Sequence, residues 1–240
     1  MSNAREALLQ VLAENSFRLG EFKLSSGGTS DYYIDCRATT LNAEGARLTA
    51  RVFYDEIYES GFKPDAVGGM TMGADPIVTG IAILSAQRIQ GRITDSSMEN
   101  SGRKLIHAFV VRKDVKNHGT EQQIEGFRRK GAKVFIVDDV CTSGNSIIQA
   151  IEASRQFGFD VVGAICLVER EEARGRPLVE KVAHPAPFVT IYTAQDVREK
   201  HLHVRQQEND PLLALGEVCD LCGRPAVTVI HHKRCAAHQE

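Results

Sequence analysis

Val134-Phe-Ile-Val-Asp-Asp-Val-Cys-Thr-Ser-Gly-Asn-Ser146 is the stretch on which the reading of this chain turns. Val134 to Val137 is a short β-branched and aromatic run, the signature of a buried strand. Asp138 and Asp139 follow at its carboxyl end, where open α/β sheets bind their ligands. Thr142 to Ser146 then turns into a helix spanning about Ile147 to Phe157. A helix N-terminus presents free N–H groups and the positive end of a dipole, which suits a phosphate. The hydroxyls of Thr142, Ser143 and Ser146 add donors, and Gly144 lets backbone approach the phosphate closely. The two carboxylates suit hydroxyl groups or Mg²⁺ instead. One element thus offers a phosphate cradle beside a hydroxyl or metal clamp, which describes a site for ribose 5-phosphate.

Outward from this unit, strands and helices alternate. Helices are expected over Ala4–Glu14, Ala43–Ser60 and from Pro76 to about Ile89. Strands are expected over Asp65–Gly69, Leu105–Val111, Asp160–Val168 and Phe188–Tyr192, with a hairpin pairing Glu21–Leu24 with Tyr32–Asp35. Thr193-Ala-Gln-Asp196 resembles a capping box opening a short last helix. The pattern predicts an α/β fold: a mostly parallel central sheet with helices on both faces. Residues 91–104 read as an exposed excursion. The polar stretch Arg112–Arg129 is too long for a plain connector, and loops of that kind are commonly functional. Tyr32 and Tyr33 alternate across a strand, so one faces the core and the other solvent or ligand.

The 240-residue chain carries a formal net charge of -2, with 42% hydrophobic and 25% charged residues. It affords one main domain plus a small module, and its charge gives no pull toward nucleic acid or membranes. No apolar run approaches the roughly 18 residues that span a bilayer, and the N-terminus has no apolar signal core, so the expectation is a cytoplasmic protein. Cys36, Cys141 and Cys166 are isolated and read as packing residues. Cys219, Cys222, Cys235 and His238 instead crowd the end of the chain as two pairs, each with a two-residue gap. That spacing predicts a structural tetrahedral Zn²⁺ site, with His231 and His232 as alternatives to His238. The domain boundaries expected are 1–200, a linker over 201–216 and a zinc-binding module over 217–240.

Val134–Ser146 resembles the phosphoribosyl-diphosphate (PRPP) signature of the type I phosphoribosyltransferases. Further motifs are similar to the orotate-specific branch. Gly20-Glu-Phe-Lys-Leu-Ser-Ser-Gly27 with Ser30-Asp-Tyr-Tyr-Ile-Asp35 resembles its small N-terminal hood, and Arg112-Lys-Asp-Val-Lys-Asn-His-Gly-Thr120 its catalytic loop. Gly69-Met-Thr-Met-Gly-Ala-Asp-Pro-Ile77 resembles its diphosphate-side loop, and Val168-Glu-Arg-Glu-Glu172 the strand end that meets the base. The resemblance implies transfer of ribose 5-phosphate from PRPP to N1 of orotate, with Mg²⁺, by a homodimer whose loops reach the neighbouring site. It implies catalytic roles for Lys116, His118, Asp138 and Asp139. PRPP contacts are implied for Arg112, Lys113, Lys116, His118, Asp138, Asp139, Val140, Cys141, Thr142, Ser143, Gly144, Asn145 and Ser146, and orotate contacts for Thr142 and Arg170.

Two departures stand out. Ser25 occupies a hood position that is Lys in many members, with Lys23 two residues earlier. Met72-Gly73 stands where some members have Tyr-Lys, which removes one cation and leaves backbone N–H groups to meet diphosphate. Two other readings share part of this pattern: the same chemistry on another base, and a PRPP-sensing regulator that uses the tail to bind nucleic acid. Against the second, residues 219–240 carry only Arg224, Lys233 and Arg234 against Asp220 and Glu240. A net of +1 is thin for neutralising phosphates.

Overall fold

The computed structural model describes residues 3–23, 28–93, 104–113 and 123–209. Among them a six-stranded sheet runs in the order β5-β4-β3-β6-β7-β8. Its members are β3 (Ala66–Met70), β4 (His107–Val111), β5 (Ile124–Gly126), β6 (Lys133–Cys141), β7 (Asp160–Glu169) and β8 (Phe188–Thr193). All pair in parallel except the edge strand β5, which is antiparallel to β4. A separate two-stranded hairpin, β1 (Phe17–Lys23) and β2 (Thr29–Ile34), precedes it. The helices are α1 (Asn3–Asn15), α2 (Arg37–Thr40), α3 (Ala43–Glu59), α4 (Asp75–Ile93), α5 (Asn145–Phe157), α6 (Arg176–Ala183) and α7 (Ala194–Asn209).

Strand alternation sorts the sheet's side chains onto two faces. Val67, Phe135, Val137, Ile165 and Leu167 pack with α1, α3, α4 and α7. Ala66, Val134, Ile136, Ala164 and Cys166 pack with α5 and α6. The central strands are buried on both sides, which is why they read as continuous apolar runs. Each fully buried large side chain, such as Phe53 or Phe109, contributes about 1.5–3 kcal/mol of transfer free energy. The Asn42 side chain caps α3, accepting from the N–H groups of Glu44 at 3.1 Å and Gly45 at 3.0 Å.

The sheet and the main helices agree with the sequence reading, and several boundaries do not. β6 runs to Cys141, so Asp138 and Asp139 lie within the strand rather than past it: Asp138 pairs with Cys166, and Cys141 with Glu169. β1 starts at Phe17, earlier than expected, because it is exposed along most of its length and carries no alternating apolar signal. β5, α2 and α6 were not anticipated; each is short or mostly polar in sequence. α7 continues to Asn209, into the stretch expected as linker. Its His201 and Val204 are each 8% exposed, and the His201 Nδ1 lies 2.7 Å from the Ala13 carbonyl oxygen. That contact fastens α7 to α1. Among the described residues, no helix is long and apolar enough to cross a membrane.

Candidate active site

A cleft of about 610 Å³ opens at the carboxyl ends of β3, β4 and β6, the edge where parallel sheets place ligands. Three of its walls come from the sheet: Met70 to Gly73 after β3, Arg112 and Lys113 after β4, and Asp138, Asp139, Val140 and Ser146 from β6 and α5. The fourth wall is Tyr33 to Arg37, the end of the hairpin and the start of α2. Residues from four distant segments thus converge on the strand-end acids.

Asp138 is 5% exposed, and its Oδ1 accepts from the Asp139 N–H at 3.1 Å. The Asp139 Oδ1 accepts from the Val140 N–H at 2.9 Å. Burial pushes both carboxyls above their ordinary 3.8, and the Asp139 charge adds to the shift at Asp138. Two adjacent acids held this way form an electron-rich floor suited to hydroxyl donors or a hard cation. Gly73 presses against them. A Cβ at Gly73 would lie 2.4 Å from the Asp139 Oδ1 and 3.3 Å from the Asp138 Oδ1. No side chain fits there without moving the acids, which accounts physically for glycine at this position of the β3–α4 loop.

The phosphate-cradle expectation falls on the turn into α5. Gly144 occupies the N-cap with a φ of 78°, a left-handed conformation that glycine adopts readily. The Ile148 N–H donates to the Gly144 carbonyl at 2.9 Å, the first bond of the helix. The N–H groups before it point past the helix start, as helix geometry requires. Thr142, Ser143 and Asn145 are exposed there, and Ser146 lines the cleft. Gly175 braces this turn from behind: a Cβ on it would lie 2.2 Å from the Thr142 carbonyl oxygen and 2.9 Å from the Gly144 nitrogen.

Arg170 follows β7, and its N–H donates to the Cys141 carbonyl at 2.9 Å. Its side chain reaches the hairpin. Nε donates to the Tyr32 hydroxyl at 3.1 Å and to the Glu172 Oε1 at 3.0 Å, and Nη2 to the Ser30 Oγ at 3.2 Å. The guanidinium also stacks 4.6 Å from the Tyr32 ring centroid. Tyr32 is buried and bonded to Glu172, while Tyr33 is 42% exposed and lines the cleft. The two tyrosines therefore divide as their alternation requires.

Of the residues singled out from the sequence, Arg112, Lys113, Asp138, Asp139, Val140 and Ser146 line the cleft. Cys141, Thr142, Ser143, Gly144 and Asn145 form the adjoining turn, and Arg170 anchors the hairpin. Lys116, His118, Cys219, Cys222, Cys235 and His238 lie outside the described residues, as does Ser25. Arg37 and Gly175 were missed. Arg37 lies two residues past the hood motif, and Pro177 in the first turn of α6 marks a helix start that would have drawn attention to Gly175.

Comparison with known proteins agrees with this geometry. The family described as "Phosphoribosyl transferase domain" matches residues 39–185. An orotate phosphoribosyltransferase of Aquifex aeolicus is 39% identical over 184 residues, 75% of this chain and 91% of the relative. One of Streptomyces avermitilis is 41% identical over 170 residues, 71% of this chain and 85% of the relative. The crystal structure of Mycobacterium tuberculosis orotate phosphoribosyltransferase with Fe(III) dicitrate superposes with a TM-score of 0.63 at 31% identity, covering 81% of this chain and 98% of that one.

Proposed function

The chain belongs to the phosphoribosyltransferase family, and from that membership we infer that it is an enzyme of pyrimidine biosynthesis, transferring ribose 5-phosphate from PRPP to orotate to give orotidine 5′-monophosphate and diphosphate. The observation that carries the acceptor base is the likeness to orotate-specific relatives over nearly their whole length, 91% in one case.

In this reading the bond from C1′ to the diphosphate oxygen breaks, the electron pair leaves with diphosphate, and N1 of orotate bonds to C1′. Positive charge grows on the ribose as that happens. Asp138 and Asp139 hold the 2′- and 3′-hydroxyls, and their carboxylates face the growing cation. The turn Cys141–Ser146 binds the 5-phosphate through N–H groups and hydroxyls. Arg112, Lys113, Lys116 and His118 gather charge on the departing diphosphate, and their loop closes over the site to exclude water. Thr142 and Arg170 meet orotate. The carboxylate pair at the cleft floor, with Asp138 buried, is a hard-oxygen donor set that fits Mg²⁺ accompanying PRPP. When bound, Mg²⁺ would neutralise diphosphate charge.

Ultraviolet-monitored loss of orotate with PRPP and Mg²⁺, with uracil, hypoxanthine and xanthine in parallel, tests the reaction. PRPP-dependent loss of orotate alone is the expected result. Turnover of another base alone would move the substrate. Silence with every base despite PRPP binding would favour the regulator reading.

Arg170→Met is expected to raise the KM for orotate about tenfold or more, the worth of a charge-assisted hydrogen bond, with the KM for PRPP within about twofold. Tyr32→Phe separates base contact from hood anchoring. It removes the hydroxyl bond to the hood but keeps the guanidinium, its Ser30 bond and the ring contact, so an equal orotate defect in both variants would assign Arg170 to anchoring.

The remaining features extend the same proposal: a cytoplasmic homodimer whose Arg112–Thr120 loop reaches the partner's site, and a tail at 217–240 that holds Zn²⁺ through Cys219, Cys222, Cys235 and His238. A unit this short cannot fold on a hydrophobic core alone, so metal supplies its stability. Chelation is expected to release about one Zn²⁺ per chain while transfer activity persists, read by metal analysis beside the orotate assay. Metal-free protein as isolated would remove the zinc assignment.

A further inference from the structure

The β3–α4 loop, Met70 to Gly73, faces the acids without a cation of its own. Adding one at Gly73 would require the Asp139 carboxylate to move, since a Cβ would meet it at 2.4 Å. A departing diphosphate nevertheless carries several negative charges, and this loop offers backbone N–H groups but no cationic side chain to answer them. Among the described residues, three cations line the cleft: Arg37, Arg112 and Lys113. Arg112 is engaged with Glu125 at 2.5 Å, outside the acid floor. Arg37 stands on the opposite wall, close enough to Asp139 for their charges to interact.

Arg37 is also held in place by its neighbour. Asp35 grips it with two parallel bonds, Nε to Oδ1 at 2.8 Å and Nη2 to Oδ2 at 2.9 Å. The same Oδ1 accepts the Arg37 backbone N–H at 3.1 Å. The Arg37 side chain is still 45% exposed at the cleft. An ion pair that open adds little stability. What it does accomplish is orientation: the fork fixes one edge of the guanidinium and leaves Nη1 for an anion. A fixed, permanently charged guanidinium suits diphosphate oxygens.

We propose that Arg37 contacts the diphosphate of PRPP and of the product, supplying from the hood side the cation that the β3–α4 loop lacks, and that Asp35 is its positioning residue. This rests on the transferase reading above.

The test compares wild type, Arg37→Met, Arg37→Lys and Asp35→Asn. Four constants are measured: KM for PRPP, KM for orotate, and inhibition constants for diphosphate and ribose 5-phosphate. In Arg37→Met, the PRPP and diphosphate constants are expected to rise together, about tenfold or more, for the loss of a charge-assisted contact. The ribose 5-phosphate and orotate constants stay within about twofold, because neither ligand carries the diphosphate. Arg37→Lys retains part of the effect, and Asp35→Asn shows a smaller rise in the same two constants. An unchanged diphosphate constant in Arg37→Met overturns the proposal, as does an equal rise for ribose 5-phosphate or a rise confined to orotate. Should wild type transfer nothing to orotate, calorimetric titration with diphosphate separates the two ideas. Binding by wild type but not by Arg37→Met keeps the anion site and discards the reaction, whereas equal binding or none discards the site.

Discussion

Replacing Asp138 and Asp139 together by Asn is expected to reduce kcat/KM for PRPP by about a thousandfold or more, while the protein folds and melts at least as well as wild type near neutral pH. The kinetic part follows from position. The two carboxyls form the floor of the cleft, with Asp138 only 5% exposed and each accepting from a neighbouring backbone N–H. Stripping one preorganised electrostatic group from an active site costs about 10²–10³ in rate, and here two are removed. The stability part has the opposite sign and comes from the same burial. Each group's folded-state value is raised above 3.8, so the folded protein binds protons more tightly than the unfolded chain. Stability then falls as pH rises from about 3.8 through the raised values, because the ionised pair is penalised only when buried. The double amide variant escapes that penalty. Its thermal midpoint is expected to exceed that of wild type at neutral pH, with the difference shrinking toward pH 4. Activity loss accompanied by a lower midpoint at neutral pH would point to a damaged fold and withdraw the ribose-clamp assignment; so would unchanged turnover.

The acids were legible in the sequence because their chemistry is local. An apolar strand, two carboxylates and a hydroxyl-rich helix start lie within thirteen consecutive residues, 134–146, and each step has a physical cause that acts over a few residues. The parallel sheet was legible for the same reason: strands buried on both faces must be apolar throughout. The hairpin edge β1 was not, because its mostly exposed residues follow no two-residue period. α6 was not, because eight residues with two buried positions, Val179 and Ala183, give too few turns for periodicity. Arg37 and Gly175 escaped for a deeper reason. Arg37 matters through Asp139, a hundred residues away in sequence, and Gly175 through Thr142 and Gly144. Such roles are created by the fold bringing segments together; the local sequence marks at most a position, a residue near the hood motif or before a helix-start proline, and not the partner that gives it a role. The chemistry at Met72-Gly73 shows both halves at once. The missing lysine was visible in the sequence; the reason that no side chain fits there is visible only with Asp139 in place.

Gly175→Ala is expected to raise the KM for PRPP about a hundredfold, although residue 175 itself lies behind the phosphate turn. The added methyl would sit 2.2 Å from the Thr142 carbonyl oxygen, 2.7 Å from the Ser143 carbonyl carbon and 2.9 Å from the Gly144 nitrogen. All three are backbone atoms, so no rotamer change relieves the overlap, and either the α6 start or the turn must move. α6 is hard to move. Val179 and Ala183 are fully buried, and Arg176 is tied to Glu169 and Thr190 at the end of the sheet. The turn is exposed at Thr142 and Ser143 and anchored less deeply, so the displacement falls on it. A shift of about 1 Å in a positioning element can cost about 10² in rate or binding. Overpacking of this kind also destabilises by about 1–3 kcal/mol, a loss the thermal midpoint should register. The discriminating readout is the inhibition constant for ribose 5-phosphate, which carries the 5-phosphate but no diphosphate. It should rise in step with the PRPP constant in Gly175→Ala, the reverse of the pattern expected for Arg37→Met. A lowered midpoint with both constants unchanged would mean that α6 yields instead, and that the 5-phosphate turn keeps its shape without a brace from Gly175.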